Sequence, residues 1–251
     1  MPDVVEAAAW GLLGASSLVL GAALSFGGWL SVRAVGLVLA FGAGVLMSAV
    51  AYELVADALT DQPWIPLYAL AFAGGAVTFY VGSTRLDSMP EPDAAGSGGR
   101  SAAGRGQRAR GAAIVLGAVL DGIPESVVLG VSLLDGGAIS VPMLLAVFIS
   151  NVPEALGASA DLTSGGVSRG DVIRLWTIVA LASAVAAGLG YVLLSDAPAR
   201  WISAVQMFAG GAIVAMLAES MFPDAYEQGG RAVGLATAFG FALSAILSAV
   251  R

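Results

Sequence analysis

"LDGIPESVVLG", residues 120–130, sits inside an apolar stretch running from about 111 to 134. That is long enough to cross a bilayer, for which roughly 20 mainly apolar residues suffice. Within it Asp121 and Glu125 stand one helical turn apart, with Pro124 between them. At i and i+4 both carboxylates share one helix face, and a rise of about 1.5 Å per residue places them near mid-membrane. Ionisable side chains at that depth cost several kcal/mol and face a bundle interior or an aqueous path. "ISNVPEALG", residues 149–157, repeats the Pro-Glu pair at Pro153 and Glu154, with Ser150 one turn before the glutamate and Asn151 beside it. The prolines add a second kind of ligand. Pro124 has no N–H for the carbonyl of Leu120, nor Pro153 for that of Ile149, so each frees an oxygen beside a carboxylate. Acidic side chains with proline-freed carbonyls on two adjacent spans read as an all-oxygen cation site.

Composition agrees with a polytopic membrane protein. Apolar residues make up 58% of the chain and charged residues 12%, with a mean hydropathy of +0.87. Soluble domains are closer to half apolar and a quarter charged. The net charge of −7 excludes a nucleic-acid binder. There is no Cys and no His, so disulfide, thiolate and imidazole chemistry are all absent. All 11 basic residues are Arg, which suggests a GC-rich prokaryotic genome. The N-terminus "MPDVVEAAAW" lacks the basic start of a cleavable signal peptide.

Eight segments read as spans: about 5–26, 34–58, 64–84, 111–134, 138–160, 172–194, 201–224 and 231–249. The expected class is therefore all-α, a single transmembrane domain over 1–251 in the inner membrane of a prokaryote. Residues 85–110, rich in Gly, Ser, Pro and Arg, read as a flexible loop. With eight spans, Arg33, Arg85, Arg100, Arg105, Arg108, Arg110, Arg169, Arg174 and Arg231 share one side, against Arg200 and Arg251 on the other. Basic residues concentrate on the cytoplasmic side, so both termini are expected outside and the long loop inside. "FGAGVLMSAVAYELVADA" (41–58) and "FAGGAIVAMLAESMFPDA" (208–225) match at Phe41/Phe208, Gly44/Gly211, Asp57/Asp224 and Ala58/Ala225, a constant spacing of 167. Related helices five spans apart run in opposite directions, which predicts an inverted repeat of spans 1–3 and 6–8 around spans 4–5.

The motifs resemble those of the ZIP family of divalent-metal transporters. Its span-four motif, His-Asn-x-Pro-(Glu/Asp)-Gly, is similar to "DGIPES" (121–126) at Pro124 and Glu125. Its span-five motif, His-Glu-x-Pro-Glu, is similar to "SNVPE" (150–154) at Pro153 and Glu154. A common span-two pattern, His-Leu-Leu-Pro-Glu-Ala, looks similar to "ELVADA" (53–58), with Glu53 where the His would stand. The resemblance implies eight spans, both termini outside, and a long cytoplasmic loop between the third and fourth. It also implies Asp121, Glu125 and Glu154 as primary metal ligands, with Glu53, Ser150 and Asn151 as neighbours; Glu219 adds a carboxylate from span seven by position. Asp121 and Ser150 replace the two motif histidines, Gly122 the Asn, and Asn151 the first Glu of span five. The sixth span, "LWTIVALASAVAAGLGYVLL" (175–194), has no carboxylate, which favours one metal position. The long loop lacks the histidines with which relatives are thought to sense metal, so no such role is expected.

The expected function is a transporter moving a divalent cation, zinc, manganese, iron or cadmium, into the cytoplasm by alternating access. The metal is cargo and no organic cofactor is implied. Carboxylate, amide and water ligands favour harder ions such as manganese over those preferred by imidazole, without excluding zinc. Two other readings stand beside it. A proton-coupled carrier of another small cation would titrate the same carboxylates. An intramembrane enzyme would use Asp121 and Glu125 as acid and base, but no nucleophile or His accompanies them, so no enzyme is expected. Lipid and metal ions are the expected partners, nucleic acid is not, and a homodimer is left open.

Overall fold

The computed structural model describes residues 2–28, 31–59, 64–87, 122–134 and 139–249. Among these, eight helices and no strand are found. They are α1 (Pro2–Ser25), α2 (Val32–Ala49, continuing to Ala58), α3 (Ile65–Asp87), α4 (described over Gly122–Ser132), α5 (Val141–Ser164), α6 (Arg169–Leu194), α7 (Ala199–Met216, continuing to Gly229) and α8 (Val233–Ala249). Six helical stretches are long and apolar enough to cross a membrane, the last being the 51-residue run Ala199–Ala249. That run is broken by a short 3-10 turn, Gly230–Ala232, where Gly230 takes φ +64, a left-handed conformation that glycine adopts without a Cβ penalty. Large apolar side chains such as Leu70, Leu193, Phe239 and Ile246 lie on the outside. Helices apolar on every face belong in lipid, and the chain is an all-α membrane protein. The long loop, apart from its first residues, and Asp121 lie outside the described residues.

Two groups of helices pack internally and meet along one seam. In the first, α1 lies against α6 and α5. The α4 helix joins this group: Gly130 abuts the carbonyl of Ala187 on α6, and Leu129 lies 3.1 Å from where a Cβ on Gly14 of α1 would be. In the second, α2 packs on α8, α3 on α7, and the C-terminal part of α7 on α2. The seam between the groups is α2 against α5. Glycine makes these approaches possible, because membrane helices associate by close van der Waals packing rather than by hydrophobic transfer.

The same contact occurs twice in the second group. Gly44 of α2 abuts the Thr237 carbonyl of α8, while Gly240 of α8 abuts the Phe41 carbonyl. Gly211 of α7 abuts the Phe72 carbonyl of α3, while Gly75 abuts the Phe208 carbonyl. Both pairs run parallel. For α3 and α7 this is fixed at three levels: the Arg200 guanidinium over the Trp64 ring at 5.0 Å, the glycine contacts, and the Ser83 hydroxyl donating to Glu219 Oε2 at 2.7 Å. By contrast α2 and α7 are antiparallel, since Gly36 meets Gln228 and Gly229 while Gly210 meets Val50 and Leu54.

Both α2 and α7 widen midway into a π turn, over Val50–Val55 and Leu217–Met221. In each the residue after the turn bonds five residues back, Ala56 to the Ala51 carbonyl and Phe222 to that of Leu217. Pro223 stands two residues beyond the second. The wider ladder lets α7 pass a residue without an N–H and run on to Gly229, beyond the end near 224 expected from the sequence.

Candidate functional site

The α4–α5 hairpin sets the depth of the motif residues. At its closed end the Ser140 N–H donates to Ser132 Oγ at 3.3 Å. Further in, Leu129 of α4 and Leu144 and Val147 of α5 converge over Gly14 of α1. Glu125 lies about 6 Å deeper than Leu129 along α4 at 1.5 Å per residue, which brings it level with Ser150 and Asn151. One turn deeper on α5 is Glu154.

Three of these residues are shut away from the exterior. Glu125 is 2% exposed, Ser150 1% and Asn151 6%; Glu154 is half-buried. The neighbouring Ser126 and Pro153 are buried too. Ser150 donates its hydroxyl to the Val147 carbonyl at 3.1 Å, leaving its lone pairs as acceptors. Its backbone rests on α2, where a Cβ added to Gly42 would stand 2.9 Å from the Ser150 Cα. The level of α5 that carries Ser150 therefore lies directly on the seam between the two groups. A buried carboxylate requires a partner charge, a proton or a cation; Glu125 and Glu154 both take part in polar or electrostatic contacts. Among the described residues no three Asp or Glu side chains gather closely enough to hold a metal ion. The expected triad includes Asp121, which lies outside the described residues together with the Leu120 carbonyl.

Glu53 stands elsewhere. Its Oε2 accepts the Ser140 hydroxyl at 2.8 Å, at the N-terminus of α5. From Ser140 to Ser150 is about 15 Å of helix, so Glu53, bonded at Ser140, stands at a different level from Ser150, Asn151 and Glu154. Glu219 is exposed and bonded to Ser83 of α3. Asp57 and Asp224 are exposed near helix ends.

Sequence reasoning passed over Ser132, Ser140 and Gly42. Ser140 was legible as a helix cap, since Ser two residues before Pro142 is a common helix start. Gly42 carried no signal of its own among 34 glycines. Compared with models of known protein families and with curated proteins, the sequence has no match.

Proposed function

We propose that the chain is a membrane transporter that carries a divalent metal cation into the cytoplasm by alternating access. The carrying observation is Glu125, a carboxylate 2% exposed, at the level of the buried Ser150 and Asn151, with the Ser150 backbone packed on α2 at the seam between two helix groups. Glu125 and Glu154, with Asp121 four residues earlier in the sequence than Glu125, would hold the cation; Ser150 and Asn151 would supply neutral oxygens. Motion of the group α1, α4, α5 and α6 against the group α2, α3, α7 and α8 would open this layer to each side in turn. The motif resemblance to ZIP transporters supports the same reading.

The topology we propose has eight spans, with spans 1–3 and 6–8 an inverted repeat. Helix directions support it: α2 with α8 and α3 with α7 are parallel, whereas α2 with α7 and α2 with α5 are antiparallel, as alternate crossings require. In the doubled glycine–carbonyl contact Gly44 and Gly211, like the π turns starting at Val50 and Leu217, keep the 167-residue spacing found in the sequence, while their partner glycines Gly75 and Gly240 stand 165 residues apart. Both termini would lie outside a prokaryotic inner membrane, and the protein would be no enzyme. An all-oxygen site favours manganese relative to a site with imidazoles. Uptake of Mn²⁺, Zn²⁺, Fe²⁺, Co²⁺ and Cd²⁺ into proteoliposomes tests the reading: saturable accumulation of at least one is expected, and uptake of none would reject it.

A further inference from the structure

Glu53 is displaced from the polar layer, yet it is held. Ser140 caps α5, accepting the Met143 N–H at 3.2 Å, and its hydroxyl donates to Glu53 Oε2 at 2.8 Å. Its own N–H goes to Ser132 Oγ at 3.3 Å, and the Ser132 hydroxyl goes on to the Leu129 carbonyl at 2.8 Å. Both serines are buried, at 5% and 8% exposure. The closed end of the α4–α5 hairpin is thus gathered at one hydroxyl and fastened across the seam to α2.

We propose that the Glu53–Ser140 hydrogen bond is a latch that fixes the two helix groups in the register seen here and must open when they move. The latch rests on the transporter reading only in assuming such motion. Two contacts on the same seam divide the roles. At Gly42 the absence of a Cβ leaves a smooth face under Ser150, over which α5 slides without losing a bond. At Glu53 a displacement of one helical turn, about 5.4 Å, parts a bond of 2.8 Å. The carboxylate faces the positive end of the 24-residue α5, which strengthens a bond already assisted by charge. It rides on the π turn of α2, a single-turn irregularity of the kind found at functional positions.

The chain has no cysteine, so introduced ones are labelled cleanly. Ala56→Cys on α2 and Ser195→Cys at the C-terminal cap of α6 place an exposed probe on each group. Spin-label distances in nanodiscs without metal are compared for this parent and for added Glu53→Ala, Ser140→Ala and Glu53→Gln. The expected result is one narrow distance in the parent, a broadened or shifted distribution in Glu53→Ala and in Ser140→Ala, and an intermediate one in Glu53→Gln, whose amide oxygen still accepts. Well-folded alanine variants with the parent's distribution would overturn the latch. So would unchanged distances with Mn²⁺ binding weakened more than about tenfold in Glu53→Ala, which would make Glu53 a ligand. Metal-free distances read the latch whether or not the parent carries metal, so its failure and that of the transport reading are separable.

Discussion

The π turns of α2 and α7 are the same backbone device in different company. Each presents a glutamate to a serine hydroxyl on another helix, at 2.8 Å for Glu53 and 2.7 Å for Glu219. Glu53 is half-buried and reaches across the seam to α5; Glu219 is exposed and stays within its own group, on α3. What differs is α5, which lies against α2. The π turn occurs in both helices, and the neighbour decides whether its carboxylate joins two groups or braces one.

The comparison breaks first at the glycine seams. Alanine at Gly44 puts a Cβ into the Thr237 carbonyl, and alanine at Gly211 puts one into the Phe72 carbonyl. Overpacking of this kind costs about 1–3 kcal/mol. Thermal melting of Gly44→Ala and Gly211→Ala in detergent should show losses alike in size; a large loss at one and none at the other would undo the equivalence of the seams. A smaller effect is expected at Asp121→His, where an imidazole replaces a carboxylate. Competition uptake should move several-fold toward Zn²⁺ over Mn²⁺, and uptake should fall as pH drops through about 6.5, where imidazole protonates and releases metal. The variant Ser150→His is less informative, because the Ser150 Cα already packs on Gly42. Least of all should change at Glu219→Gln, an exposed partner of Ser83, with uptake within about twofold of wild type and melting shifted by no more than an exposed hydrogen bond implies.

Much of the architecture was legible because lipid imposes length and hydropathy on helices. The expected segments coincide with the observed helices to within a few residues, apart from the longer α7 and from α4, which is described only over Gly122–Ser132. The end of α7 was missed because Pro223 reads as a stop; the π turn that accommodates it is visible only in backbone geometry. Glu125, Ser150 and Asn151 come together because the α4–α5 hairpin is local in sequence, so residue spacing carries their depth. The place of Glu53 was not legible. Its motif similarity put it with the ligands, whereas its depth follows from how far α2 slides along α5, and that is set by Gly42 beneath Ser150. A tertiary register of this kind leaves no periodic trace in the chain.

Glu125, and not Glu219 of α7, is proposed to hold the transported cation. Mn²⁺ and Zn²⁺ uptake into proteoliposomes by Glu125→Gln and Glu219→Gln, each at matched protein density and with the melting temperature recorded, tests it most directly. Glu125→Gln is expected to fold and to carry no metal above empty vesicles, while Glu219→Gln carries it at near wild-type rate. Wild-type uptake by a folded Glu125→Gln would contradict it.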